Sequence, residues 1–342
     1  MHSLAIYDLV SDMLRKRQIS ALQRRTAFAA PVDAWMRLLT FEGCAVQFER
    51  ALQATVLMRE ASPTLRRHLR DATGASLRHA VIAHEQLAAI GALAARQGIR
   101  VLVLKGAARL LGGALGGTRS IADIDVLVSP NDAQCLHRLL QTEHGHAACG
   151  PAQAHHLAPL GRPGSLTIEI HSRLTADALP LDSAIWRDTT PVSLGGATLE
   201  IPSATNLLLH TLEHAIALNW MTRYRLRDIL DVAACFTSDV TSAVVNDYVC
   251  THRQRAALET ILSAAHDIQA LIPLRRANAW MTVRRVSRAR LALAGRSTNR
   301  HVAERLFRYV GVVAESSPAT MARAAFGAAR WLRSASLARV RG

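Results

Sequence analysis

The fold turns on the stretch VLVLKGAARLLGGALGGTRSIADIDVLV, residues 101–128. Its opening belongs to a short β-branched and apolar run, Ile99 to Leu104, which reads as a buried strand. Lys105-Gly106 closes that run, and Ala107 to Leu111 reads as a short helix. The glycine-rich segment Gly112 to Gly117 leads into a second strand, Ile121 to Val128. On that strand Asp123 and Asp125 share one face, while Ile124, Val126 and Val128 point the other way, into a core. Carboxylates so placed can share divalent cations. Mg2+ takes hard oxygen ligands, usually one or two protein carboxylates plus substrate phosphates. Two such ions about 3.5–4 Å apart can stabilise the attacking and leaving oxygens of an in-line phosphoryl displacement. An acidic alternating strand is also an ordinary solvent-facing surface, so its neighbours decide between the readings. Here an apolar strand ending in Lys-Gly precedes it, followed by a helix whose N-terminus offers free N–H groups to a phosphate. Gly106 lets the backbone approach closely. Lys105 adds a compact point charge at the same place.

Downstream, Ser129-Pro130-Asn131-Asp132 closes the acidic strand and caps a helix over about 132–142. Pro151 to Gly164 is a loop rich in Pro, Gly and His. Ser165 to Leu174 is a third strand: Leu166, Ile168 and Ile170 face one way, and Thr167, Glu169 and His171 the other. If this strand lies beside the acidic one, four polar groups converge. Thr190 to Ile201 reads as a hairpin around Gly195-Gly196. From Ser203, an N-cap candidate, the chain is helical again and ends in an Arg-studded segment over about 275–342.

Upstream, residues 1–98 read as helices from their apolar spacing. Asp33 is a candidate N-cap for the helix carrying Trp35, Ser62-Pro63 opens another, and a long helix runs from about 76 to 97. The expected architecture is α+β: a small mixed sheet over 99–202 between helical regions at 1–98 and 203–342.

The chain has 342 residues, 50% of them apolar, enough to bury a sizeable core. The formal charge of +15 suggests an anionic partner such as nucleotide, nucleic acid or a membrane surface. Only Lys16 and Lys105 are lysines, so Arg carries nearly all of that charge. Such wholesale Arg usage reads as composition bias before it reads as nucleic-acid recognition. The same bias singles out Lys105, a lysine kept in the most motif-like segment. Five scattered cysteines without a CxxC pair form neither a zinc pattern nor a disulfide framework, and fit a reducing cytoplasm. The opening residues mix charges into every apolar stretch, unlike a signal peptide, and no run approaches a membrane span.

The stretch 101–128 resembles the KG…R…DIDLLV signature of an uncharacterised bacterial nucleotidyltransferase family of the DNA polymerase β-type superfamily. The resemblance extends over roughly residues 30–240: helices around Trp35, the strand Ile168-Glu169-Ile170-His171, Leu209 to His214, and Arg225 to Asp231. It implies a Mg2+- or Mn2+-dependent enzyme transferring a nucleoside monophosphate from an NTP to an acceptor. Asp123 and Asp125 match the metal-binding pair, and Glu169 matches the third carboxylate, a general base or further ligand. Lys105 and Gly106 match the segment that replaces the superfamily's Gly-Ser phosphate turn, and Arg119 the basic residue before the acidic strand. Gly106-Ala107 stands where that superfamily has Gly-Ser, so no serine hydroxyl can hold a phosphate there.

Other groups carry more than one reading. His171 can orient a carboxylate, bind triphosphate or shuttle a proton, or act as a structural hydrogen-bonding residue. His210 and His214 lie at i, i+4, but the sequence HTLEH lacks the glutamate of HExxH, so they read as packing against the core. Arg225, Arg227, Asp228 and Asp231 read as intrahelical ion pairs, and His155-His156 as a surface loop. The acceptor (sugar, antibiotic, peptide, protein hydroxyl or tRNA end) is not legible. A competing reading is a degenerate module of the same fold that binds RNA or a protein partner. A phosphohydrolase or kinase-like enzyme is disfavoured by the lack of GxxxxGK[ST].

Overall fold

The computed structural model describes residues 2–113, 121–174, 180–217, 225–252 and 254–269. The described strands are β1 (Leu102–Val103), β2 (Asp123–Leu127), β3 (Ala147–Ala148), β4 (Leu160–Gly161), β5 (Thr167–His171), β6 (Thr189–Leu194) and β7 (Ala197–Pro202). They form one mixed sheet in the order β3-β4-β5-β2-β1-β7-β6. The described helices are α1 (His2–Leu14), α2 (Ala21–Phe28), α3 (Val32–Glu42), α4 (Ala45–Gln53), α5 (Pro63–Arg96), α6 (Lys105–Leu111), α7 (Pro130–His144), α8 (Pro180–Ala184), α9 (Ala204–Ala217), α10 (Leu226–Ala233), α11 (Ser242–Thr251) and α12 (Arg255–Gln269). The α+β architecture expected from the sequence is therefore present.

The chain packs as two compact units. One comprises Phe28–Thr211 and Ala234–Val245 and contains the whole sheet. Its core joins one face of the sheet (Ile124, Val126, Ile168 and Ile170) to Leu87 and Ile90 of α5 and Leu136 and Leu140 of α7. Gly91 permits close approach of α5 to β7: a Cβ there would stand 3.2 Å from the Ala197 Cβ. The other unit draws its described residues from 2–27, 212–217, 225–233, 246–252 and 254–269. Within it Ile6, Leu9 and Val10 are buried, and Arg15 pairs with Asp267 at 2.6 Å. Arg227 of α10 lies 3.5 Å from Asp228, an adjacent-residue pair.

Local chemistry sets the element ends. Ser62 accepts the Leu65 N–H at 3.2 Å, and Pro63 occupies the first turn of α5. This helix runs unbroken for 34 residues, where the sequence suggested a break before residue 76. Its interior Gly74 costs about 1 kcal/mol of helix propensity, outweighed by burial of Leu65, Leu69, Leu87 and Ile90 along the same helix. Asp33 lies in the first turn of α3, with Pro31 at the cap position, so it is not the expected N-cap. Ser129 caps α7 by accepting the Asp132 N–H at 3.2 Å, and Gly145 closes that helix at φ 66°. Gly195 and Gly196, at φ 58° and 82°, make the turn between β6 and β7.

Two side chains of α5 hold the beginnings of the central strands. His79 Nδ1 meets the Ile121 carbonyl at 2.9 Å, just before β2. The Gln86 amide accepts the Leu166 N–H at 2.8 Å and donates to the Leu166 carbonyl at 3.1 Å, just before β5. Gln86 thus pairs with the backbone as a neighbouring strand would. No described helix is long and apolar enough to cross a membrane.

Candidate active site

β2 and β5 are neighbours and run parallel, with Asp123 opposite Thr167, Asp125 opposite Glu169 and Leu127 opposite His171. Period-two alternation sends Ile124, Val126, Ile168 and Ile170 into the core and sets Asp123, Asp125, Glu169 and His171 on the opposite face. Asp125, Glu169 and His171 each bring one ligand atom within 4.8 Å of the others. Asp123 shares the face but lies at the exposed start of β2, outside this cluster.

Asp125 is the centre of the arrangement and is 2% exposed. Its Oδ1 accepts from Lys105 Nζ at 2.6 Å and from His171 Nε2 at 2.9 Å. The same His171 nitrogen stands 3.5 Å from Glu169 Oε2. Burial alone would raise the Asp125 carboxyl, but the Lys105 ammonium and the His171 contact outweigh it and hold it well below its ordinary value. Lys105 shows the mirror case: burial lowers it, and the Asp125 carboxylate raises it by more. In His171, too, burial favours the neutral ring, yet its bonds to Asp125 and Glu169 raise it above the ordinary histidine value. The site therefore joins carboxylates to an ammonium and an imidazole that favours its charged form.

Lys105 reaches Asp125 from an unusual backbone. Its φ is 49°, in the left-handed region that a side chain with a Cβ rarely adopts. It opens α6, which begins at Lys105 and not at the expected Ala107. Gly106 is buried in the first turn of this seven-residue helix. Leu104 donates its N–H to the Asp125 carbonyl at 2.9 Å, so the backbone ladder fixes the base of Lys105 beside its partner. Arg119 lies outside the described residues, as does the Arg-studded segment beyond residue 269.

Three further imidazoles surround this cluster. His155 and His156 do not form the free surface loop expected from the sequence. The segment before β4 pairs with the end of β5: Leu157 N–H donates to the Ile170 carbonyl at 3.0 Å, and Ser172 N–H to the His155 carbonyl at 2.9 Å. The ring centroids of His155 and His156 lie 5.4 and 5.2 Å from that of His171. Burial, then the nearby His171, pushes His155 down to about 4, so it is neutral at neutral pH. His210 of α9 is 2% exposed. Burial, then Lys105, pushes it down to about 3. The signal for His155 and His156 was their place just before a strand with a histidine of its own.

The two carboxylates suit a divalent cation such as Mg2+ or Mn2+. The His171 ring adds a nitrogen ligand of the kind Mn2+ accepts only once it gives up its proton, so metal binding there would release one. Among the described residues Asp125, Glu169 and His171 form the one such group.

The fold is a mixed sheet with carboxylates on two adjacent strands, and the sequence says to which family it belongs. Residues 32–271 match the family described as uncharacterised nucleotidyltransferase, and the chain belongs to that family. The crystal structure of an antigenic nucleotidyltransferase-like protein from Paracoccidioides brasiliensis is similar at 15% identity, over 52% of this chain and 92% of that one, with a TM-score of 0.32. No curated protein matches the chain.

Proposed function

We propose that this protein is a Mg2+- or Mn2+-dependent nucleotidyltransferase that moves a nucleoside monophosphate from an NTP to an acceptor. The observation that carries this reading is the Asp125–Glu169–His171 cluster on neighbouring parallel strands, within a chain of the nucleotidyltransferase family. Asp125 and Glu169, with Asp123 from the same face, would hold the metal, and His171 offers a nitrogen beside them. Bound there, the metal would polarise phosphate oxygens and neutralise charge developing on them.

The remaining chemistry falls to the chain itself. An acceptor hydroxyl attacks the α-phosphorus, a new P–O bond forms, and the bond to the β-phosphate breaks with pyrophosphate taking the electron pair. Glu169, beside Asp125 but less buried, would receive the acceptor's proton. Lys105 supplies positive charge for the triphosphate, with the Gly106 turn and Arg119 as further phosphate contacts. Most of the rate enhancement would come from positioning and charge neutralisation.

The second reading, a degenerate module that binds RNA or a protein partner, draws on the net charge of +15 and on the Lys105 ammonium held against Asp125. Thermal shift with each NTP and Mg2+ or Mn2+ separates the two. Stabilisation of the wild type that is lost in the Asp123→Asn/Asp125→Asn double variant supports the enzyme. RNA affinity that depends strongly on salt and is unchanged by Asp123→Asn supports the module.

A further inference from the structure

Lys105 has two claims on it. As a phosphate ligand it should face the triphosphate, yet its ammonium lies 2.6 Å from Asp125 Oδ1. That oxygen also takes His171 Nε2 at 2.9 Å, so both of its lone pairs are engaged. A divalent cation claiming this carboxylate meets the ammonium there. Because Asp125 is 2% exposed, little water screens the repulsion between the two cations.

We propose that Lys105 is an internal counter-cation of the site, competing with the metal for Asp125 and withdrawing only when a triphosphate arrives to receive it. The site then takes a metal–triphosphate complex in preference to the bare metal ion. This rests on the nucleotidyltransferase reading above and adds to it an order of binding.

Lysine suits such an exchange where arginine does not. An ammonium on a flexible four-carbon stem makes single, movable contacts, whereas a guanidinium fork would grip the carboxylate through two bonds. The chain carries 41 Lys and Arg residues, of which only Lys16 and Lys105 are lysines. The backbone just before Lys105 is tied to β2 by the Leu104–Asp125 hydrogen bond, so the exchange calls for motion of the side chain alone. That side chain is 19% exposed against 2% for Asp125, so its path of withdrawal leads toward solvent. Coupling of this kind is reciprocal: whatever the triphosphate adds to metal affinity, the metal adds to triphosphate affinity.

The test is calorimetric titration with Mn2+ alone, a non-hydrolysable NTP analogue alone, and both together, on wild type, Lys105→Met and Lys105→Asn. Asparagine tolerates a left-handed backbone, so it guards against misfolding at a strained position. The analogue should tighten Mn2+ binding to wild type by about tenfold or more, within the range usual for coupled sites. Both variants should bind Mn2+ alone about tenfold more tightly than wild type and lose most of the coupling. Variants that bind Mn2+ no more tightly than wild type overturn the inference while leaving the enzyme reading intact. Wild type that binds neither Mn2+ nor the complex overturns both. A measurement on wild type needs no folded variant: with 15N-lysine labelling, the ζ nitrogens of Lys16 and Lys105 give two signals. The Lys105 signal should move when Mg2+ and the analogue bind together. A bound complex that leaves that signal unmoved also sinks the proposal.

Discussion

Two ion pairs lie on the same face of the sheet, and they are built in opposite ways. Arg100 meets Glu200 of β7 through two bonds, of 2.8 and 2.6 Å, with its guanidinium 5.1 Å from the Trp186 ring. Thr189 adds a third bond to the same carboxylate at 2.6 Å. The Arg100 side chain is 58% exposed, so water screens the pair. Lys105 and Asp125 meet through one short bond, with Asp125 almost wholly buried. An exposed pair contributes about 0–1 kcal/mol. A buried one carries a desolvation cost, and removing one partner costs about 3–5 kcal/mol because the other charge is stranded. The fork at Arg100 is well made for holding strands together. The single contact at Lys105 is a weaker clasp on a costlier charge, as suits a group that changes partner.

The largest expected effect comes from breaking the buried pair at its acid. Asp125→Asn should reduce metal-dependent turnover by on the order of 10^3-fold or more while the protein stays folded, checked by pyrophosphate release and circular dichroism. Unchanged turnover would remove Asp125 from the site. Asp125→Ala should also destabilise the fold by about 3–5 kcal/mol in urea unfolding, because Lys105 and His171 lose their shared acceptor.

Next in size is Lys105→Ala, which should weaken NTP binding by about tenfold, the loss of one charge-assisted contact. Calorimetry showing wild-type affinity would take Lys105 out of the nucleotide site.

A smaller effect should follow pH. His171 is raised in the folded state, so its contribution to stability is fully present below the unfolded histidine value of about 6.5 and is lost as pH climbs through the folded value. Without added metal, the melting temperature of wild type relative to His171→Gln should therefore be highest near about pH 6 and fall toward about pH 9. A constant difference across that range would mean that His171 is not charged in the fold.

The smallest effect should come from the exposed pair. Arg100→Ala should change stability by under about 1 kcal/mol, less still in high salt, and leave nucleotide binding unchanged. A large loss there would erase the contrast between the two pairs.

Much of the site's scaffold was legible because alternation is a local signal. Asp123, Asp125, Glu169 and His171 could be assigned to strand faces from their own neighbours in sequence. That the two strands lie side by side in parallel was only a condition, since pairing is a long-range event that no window of residues records. The same limit hid β3 and β4, each two residues long, and the packing of His155 and His156 on His171. The Lys105 contact was hidden for another reason. A φ of 49° on a lysine runs against local preference and is imposed by the surrounding backbone. The sequence suggests one helix opening at Ser62-Pro63 and another from about 76, whereas buried side chains on either side of Gly74 keep α5 whole.

The hold of α5 on the central strands bears on how the protein reaches its native state. The contacts of His79 with Ile121 and of Gln86 with Leu166 span 42 and 80 residues. Such contacts require large loops to close before they add anything, which slows the step that depends on them. The acidic cluster should thus be among the last features to mature, after α5 has formed and docked. Pulse-labelled hydrogen exchange should find the amides of α5 protected ahead of those in β2 and β5. Simultaneous protection would mean that the strands align without their helical guide.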